Sequence, residues 1–134
     1  MQNMLTQPWN EIVAHYEAYK GERRSIRELG NLARQINESS LGKGLFAWTS
    51  MFDLCITQTE VGYPYDGPFL RLSPVSDDQI EFRYLDTQDR AQQWHRTVES
   101  TEALTRLIKF LDQLRWFPPD VLKTISSEKR LKAD

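Results

Sequence analysis

Residues 45–58 have the sequence LFAWTSMFDLCITQ, in which large apolar side chains recur at every second position. Five of them share one parity: Phe46, Trp48, Phe52, Leu54 and Ile56. A period of two is typical of a β-strand with one face in the core. Ser50 is the exception to the pattern. We therefore predict one long strand over residues 45–58, with the five apolar side chains directed inward.

Three shorter segments with the same period follow this stretch. They run from Phe69 to Ser73, from Gln79 to Leu85 and from Gln92 to Glu99. Residues 74–78 and 86–90 separate them, with the sequences PVSDD and DTQDR, and their aspartates are typical of short turns. Because connections of this length join antiparallel neighbours, the four strands are expected to form an antiparallel meander.

Helical periodicity flanks the strands on both sides. Residues 8–20 and 25–36 carry apolar side chains three and four positions apart, which predicts two amphipathic helices. Ser25 and Glu28 match a capping box at the start of the second helix. After the strands, Ser100 or Thr101 is expected to cap a helix with a leucine-rich stripe, which Pro118 and Pro119 would end.

The order of these elements predicts the fold class. Helices before and after a run of strands, without strand–helix–strand alternation, indicate an α+β fold. We predict two N-terminal helices, a four-stranded antiparallel meander and a C-terminal helix, with the helices packed on one face of the sheet. Residues 1–134 are expected to form a single domain with a frayed tail over residues 127–134.

Strand parity also predicts which polar side chains share the other face. If the apolar set points to the helices, Asp53, Arg71, Glu81 and Arg83 point away from them. The fourth strand allows two orientations. We favour Trp94 and Val98 inward, which places His95 on the outer face.

Composition excludes several classes of protein. The chain has 134 residues, a formal charge of −2 and one cysteine, so it has no global attraction for nucleic acid and no intramolecular disulfide. It contains no apolar run long enough to cross a membrane, and the first nine residues lack the pattern of a secretion signal. We expect a cytoplasmic protein without membrane contact, for which nucleic acid is an unfavoured partner.

The candidates for catalysis are four polar residues of the outer face: Asp53, Arg71, Arg83 and His95. An arginine pair can hold a carboxylate or phosphate, and a histidine beside a carboxylate can act as a general base. The favoured alternative is that opposite charges on neighbouring strands form ordinary cross-strand pairs on a solvated face.

Cys55 with His15 or His95 would make a thiol–imidazole pair. A lone cysteine in an apolar strand is more often a small buried hydrophobe, and we favour that interpretation. Two histidines without paired spacing and the lack of an acidic calcium-type loop predict no metal site. No cofactor is predicted.

The loop from Val61 to Pro68 is longer than a tight hairpin needs and has the sequence VGYPYDGP. Tyrosine offers a rigid surface with a polar tip, and proline restricts the backbone, so this composition suits recognition. We predict partner binding by Tyr63, Tyr65, Asp66 and Phe69. The alternative is that both tyrosines fold back over an edge of the core.

These features favour a small protein-interaction or regulatory protein that binds a protein partner and has no catalytic activity. Adaptor, chaperone-like and immunity-type roles are all compatible with it. A second copy of the chain, bound through a sheet edge or the outer face as a homodimer, is also considered as a partner. One alternative is a small-molecule-binding protein or enzyme that uses the Arg/His/Asp cluster. Another is a binder of single-stranded nucleic acid.

Overall fold

Five antiparallel strands form one sheet in a computed structural model that describes residues 3–133, and their side chains through residue 127. The strands are β1 (Phe46–Ser50), β2 (Asp53–Thr57), β3 (Phe69–Pro74), β4 (Gln79–Leu85) and β5 (Trp94–Glu99). Each pairs with the next in chain order, so the sheet is a meander. The predicted meander is confirmed, with five strands rather than four.

Helices precede and follow the sheet, which confirms the α+β prediction. The α-helices within residues 3–133 are α1 (Trp9–Glu17), α2 (Arg24–Glu38), α3 (Leu41–Gly44), α4 (Ala103–Gln113) and α5 (Pro119–Ala133). Single 3₁₀-helical turns span Arg90–Gln92 and Ser100–Glu102. The frayed tail predicted over residues 127–134 falls almost entirely on positions outside the described side chains and stays a prediction.

The single long strand predicted over residues 45–58 is wrong. Ser50 pairs with Asp53, so Met51 and Phe52 form a two-residue turn, and Met51 has a φ of 55°. Ala47 lies opposite Ile56, an odd-numbered residue opposite an even-numbered one. Directly opposed residues share a face of the sheet, so the inward parity changes at the turn.

Two predicted core residues therefore lie on the other face. Phe46 pairs with Thr57, and Trp48 pairs with Cys55, so neither belongs to the face that carries Leu54 and Ile56. Within residues 45–50, the buried side chains are instead those of Leu45 and Ala47.

The core lies between the inner sheet face and the helices. Six completely buried side chains form the sheet side of it: Leu54, Ile56, Leu70, Leu72, Ile80 and Phe82. They pack with Ile12 of α1, Leu29 of α2 and Leu107 of α4 in one hydrophobic cluster. The predicted inward parity of β2, β3 and β4 is confirmed. The favoured orientation of the last strand is confirmed too, because Val98 lies opposite Ile80 and His95 opposite Arg83.

The capping box predicted at Ser25 is not formed. Ser25 lies inside α2, which begins at Arg24, and its hydroxyl donates to the Ser76 carbonyl at 2.6 Å. Its backbone N–H donates to the Asp77 carbonyl at 2.8 Å. The serine therefore ties α2 to the turn between β3 and β4. At the same end of the sheet, α4 follows a 3₁₀-helical turn, and no described side chain caps it.

The two edges of the sheet differ. At the β1 edge, the Gln7 N–H donates to the Ala47 carbonyl at 2.7 Å, and its side-chain oxygen accepts from the Thr49 N–H at 3.2 Å. Strand β5 forms the opposite edge, and among residues 3–133 no strand pairs with its far side. An edge strand of this kind is where a second chain can pair. The predicted edge-to-edge homodimer, which stays a prediction, therefore concerns β5.

Within the described part of the chain, no helix has the length and the apolar character needed to span a membrane.

Candidate interaction surface

The outer face is the sheet face opposite to the helical layer. The register aligns one side chain from each strand across it: Trp48, Cys55, Arg71, Arg83 and His95. Asp53 and Glu81 lie beside this row on the same face, by the alternation of side chains along a strand. The predicted grouping of Asp53, Arg71, Arg83 and His95 on one face therefore agrees with the register. Whether these residues carry a function stays a prediction.

Asp53 and Arg71 form the tightest ion pair on the outer face. Arg71 Nε donates to Asp53 Oδ2 at 2.8 Å, and the two side chains are 29% and 22% exposed. A charge-assisted hydrogen bond of this length is stronger than one between neutral groups, and partial burial reduces its screening by solvent. The Asp53 carboxylate is thus paired with Arg71. This agrees with the favoured interpretation, in which opposite charges on neighbouring strands form cross-strand pairs.

Arg83 is less fully paired than Arg71. Its Nε lies 3.3 Å from Glu81 Oε1, yet this buried nitrogen makes no hydrogen bond with any described residue. Its Nη2 donates to Ser73 Oγ at 3.4 Å. Because a guanidinium has five N–H donors, Arg83 keeps donor capacity for an additional acceptor. Its side chain is 37% exposed, so a partner can reach it.

An aromatic cluster occupies the β1 end of the outer face. The rings of Trp48 and Phe69 are 5.3 Å apart between centroids, and the Tyr65 ring lies 6.1 Å from Trp48 and 6.4 Å from Phe69. These separations are typical of favourable aromatic pairs. All three side chains are partly exposed. We call these three residues the aromatic cluster.

Two hydrogen bonds hold the loop that carries Tyr65. The Tyr65 hydroxyl donates to the Pro68 carbonyl at 2.7 Å, and the Thr87 hydroxyl donates to the Asp66 carbonyl. Partial burial raises the pKa of Tyr65, with smaller contributions from Tyr84, Asp66 and Asp86. The phenol is therefore a neutral hydrogen-bonding group at neutral pH.

The four predicted partner-binding residues do not form one group. Tyr65 and Phe69 meet in the aromatic cluster, whereas Tyr63 is 66% exposed and its backbone N–H donates to the Asn3 carbonyl at 2.8 Å. Asp66 is exposed. Trp48 completes the cluster and was missed, because the long-strand prediction directed it to the core. The signal that could have found it is Ser50, the polar interruption of the pattern.

Cys55 is completely buried within the outer face, between Trp48 and Arg71 in the register. Burial raises the pKa of its thiol to about 12, Arg71 and Arg83 lower it, and Asp53 raises it. His95 lies three strand spacings away, about 14 Å. The thiol–imidazole pair with His95 is therefore not formed.

His15, the other candidate partner of Cys55, is engaged elsewhere. Its Nε2 lies 2.6 Å from the Met51 carbonyl oxygen, and its ring lies 5.2 Å from that of Phe52. It therefore contacts the β1–β2 turn. Among the residues described, no three His, Cys, Asp or Glu side chains are grouped in a way that could hold a metal ion.

Two cavities, of about 440 and 530 Å³, lie in the helical layer. Neither is lined by Asp53, Arg71, Arg83 or His95. Small-molecule sites are concave and enclose most of their ligand. These four side chains therefore form no part of either cavity.

Replacing Asp53 with asparagine is expected to lower the free energy of unfolding by about 1–3 kcal/mol, because Arg71 loses its charged partner in a half-buried place. Urea unfolding followed by circular dichroism measures this change. The matched control is Asp78→Asn, which removes the exposed pair with Arg24 at 3.3 Å and should cost at most about 0.5 kcal/mol. Equal losses in the two variants would contradict the importance of the Asp53–Arg71 pair.

Comparison of the chain with protein-family models, with curated proteins and with solved structures finds no match. The function of the outer face is therefore inferred from its own geometry and chemistry.

Proposed function

We propose that this protein binds a protein partner on its outer face and serves as a cytoplasmic interaction or regulatory protein. The observation that supports this most directly is the aromatic cluster on the same sheet face as an arginine with unused donors. Aromatic side chains and arginine are the groups most enriched at the energetic centres of protein interfaces. The helices pack against the inner face, so the outer face remains for a partner.

The spacing of these groups describes the partner. Trp48 and Arg83 lie three strand spacings apart in the same row, about 14 Å. An extended segment covers this distance with about four residues. We therefore propose a partner that places an apolar or aromatic side chain on the aromatic cluster and a carboxylate on Arg83.

The two alternative functions have less support from the same residues. An enzyme using Asp53, Arg71, Arg83 and His95 needs a free carboxylate, whereas Asp53 is bonded to Arg71. A binder of single-stranded nucleic acid needs a basic groove, whereas Asp53 and Glu81 balance the two arginines. A partner that contacts the aromatic cluster and Arg83 together uses both features of the outer face.

The experiment compares four purified, affinity-tagged proteins: the wild type, Trp48→Ala, Arg83→Glu and the control Lys109→Glu, which reverses an exposed charge on α4. Proteins captured from the source cell's extract are identified, purified and titrated directly against each variant. We expect binding at least about tenfold weaker for Trp48→Ala and Arg83→Glu, and unchanged binding for Lys109→Glu. Circular dichroism confirms that each variant is folded.

A purified partner that binds all four proteins with equal affinity would contradict the proposal. Sedimentation of the wild type alone tests the homodimer. A dimer that Arg83→Glu and Trp48→Ala both dissociate would identify a second copy of the chain as the partner. A dimer unaffected by either variant would place self-association elsewhere, for example at the β5 edge.

A further inference from the structure

The cavity of about 440 Å³ lies between α2, the start of α4, and α5. Its volume is in the range of small-molecule sites, about 300–1,000 Å³. Buried apolar side chains line it, namely Leu32, Leu41, Leu104 and Ile125. An aliphatic group can therefore pack against this apolar part of the lining, beside the polar residues that form the rest of it. We call this cavity the helical groove.

Ser100 contributes a buried polar atom to the helical groove. The residue is 1% exposed, and its Oγ has no hydrogen-bond partner among the described residues. Buried hydroxyl groups in folded proteins nearly always have a partner, because leaving one without a hydrogen bond is costly. A polar group bound in the helical groove would supply the missing hydrogen bond.

Ser100 and Glu28 lie at the same end of the helical groove. The Ser100 N–H donates to the Asp78 carbonyl, and the Ser25 N–H donates to the neighbouring Asp77 carbonyl, each at 2.8 Å. The start of the 3₁₀-helical turn and the start of α2 therefore meet at the β3–β4 turn. Glu28 follows Ser25 by one helical turn and also lines the groove.

This end of the groove offers opposite charges side by side. Helix α4 begins here without a cap from any described side chain, so the positive end of its dipole favours an anion. The carboxylate of Glu28 favours a cation, and only the Asn31 amide, at 3.4 Å, is seen to donate to it among the described residues. A ligand with both charges on adjacent atoms matches this arrangement better than a simple anion or cation.

We propose that the helical groove binds an aliphatic α-amino acid. Its carboxylate accepts a hydrogen bond from Ser100 Oγ beside the start of α4, and its ammonium group contacts Glu28. The side chain packs against Leu104 and Ile125. This site is separate from the outer face, and its occupancy does not depend on the function proposed for that face.

Isothermal titration of the purified full-length protein tests the site with L-leucine as the probe. We expect a dissociation constant of about 10 μM to 1 mM, as for a small ligand with few polar contacts. Isocaproate lacks the ammonium group, isoamylamine lacks the carboxylate and glycine lacks the side chain. Each is expected to bind at least about tenfold more weakly than L-leucine.

Two variants test the assigned contacts. Ser100→Ala and Glu28→Gln are each expected to weaken L-leucine binding by about three- to thirtyfold, whereas Glu17→Gln on the exposed side of α1 leaves it unchanged. Because Ser100 Oγ has no hydrogen-bond partner among the described residues, Ser100→Ala should melt within a few degrees of the wild type, and a loss of binding then reflects the site.

Three results would overturn the proposal. The first is the absence of L-leucine binding, with a crystal structure in which an ordered water alone bonds to Ser100 Oγ. The second is binding of isocaproate or isoamylamine that equals that of L-leucine. The third is binding that both groove variants leave unchanged.

Discussion

Replacing Phe82 with alanine is expected to lower the free energy of unfolding by about 3–5 kcal/mol. Phe82 is completely buried on β4, and its ring lies 5.1 Å from that of Phe110 on α4. Its removal exposes no polar group but leaves a void where the sheet meets the helix, and a packed core relaxes only partly around such a void. Urea unfolding followed by circular dichroism gives the difference from the wild type.

The matched control is Val75→Ala, which removes apolar atoms from a side chain that is 50% exposed at the β3–β4 turn. Its effect should be within about 0.5 kcal/mol. A loss of less than about 1 kcal/mol for Phe82→Ala would contradict the packing of α4 on the inner face. The double variant Phe82→Ala/Phe110→Ala should lose less than the sum of the single variants, because both remove the same contact.

The inner face could be predicted from sequence because β3 and β4 each keep one period from end to end. Leu70, Leu72, Ile80 and Phe82 alternate with polar residues, and a short turn joins the two strands. Once these side chains point inward, Arg71 and Arg83 must point outward, and antiparallel pairing brings them together. The argument that predicts the core therefore also predicts the positions of these two arginines on the outer face.

Strand β1 was placed wrongly because its turn carries no recognisable turn residues. Two-residue hairpins with a positive φ usually contain glycine or asparagine, whereas this one is Met51 and Phe52. Tertiary contacts compensate: the Tyr16 hydroxyl donates to the Phe52 carbonyl at 2.9 Å, and His15 contacts the Met51 carbonyl. These contacts come from a distant part of the sequence, so local propensity does not reveal them.

The remaining features of the candidate sites depend on long-range contacts too. Ser25 and Glu28 match a capping box, yet α2 begins at Arg24, and the Ser25 hydroxyl donates to the distant Ser76 carbonyl. Ser100 has the composition of a helix cap, but α4 begins three residues later and leaves its Oγ in the helical groove. In both cases the local sequence predicts a helix cap at a serine. The packing of another element gives that serine a different set of contacts.

The Cys55 thiol is expected to react with a disulfide reagent at pH 8 about a thousandfold more slowly than an exposed cysteine. Burial raises its pKa to about 12 from an ordinary value of 9.0. At pH 8 the reactive thiolate is then about 0.01% of the population rather than about 10%. The side chain is also completely buried, so the reagent gains access only when the outer face opens.

Two measurements control this prediction. In a Cys55→Ala background, Ser50→Cys places a thiol at the exposed end of β1, and it should react at the rate of an ordinary exposed cysteine. Denaturing the wild type in urea should abolish the protection. Fast reaction of native Cys55 would contradict its burial and would reopen its interpretation as a nucleophile.

The raised pKa of Cys55 also makes stability fall at alkaline pH. The unfolded thiol ionises near 9, whereas the folded thiol keeps its proton until about 12, so above pH 9 the folded state binds more protons. Its free energy of unfolding should therefore decrease by up to about 1.4 kcal/mol per pH unit between these values. Burial raises the pKa of Tyr16 as well, which adds a decrease of the same sign. The Cys55→Ala variant should lose the contribution of the thiol to this decrease and keep that of Tyr16. If the free energy of unfolding fell equally with pH in both proteins, a buried, protonated Cys55 would be contradicted.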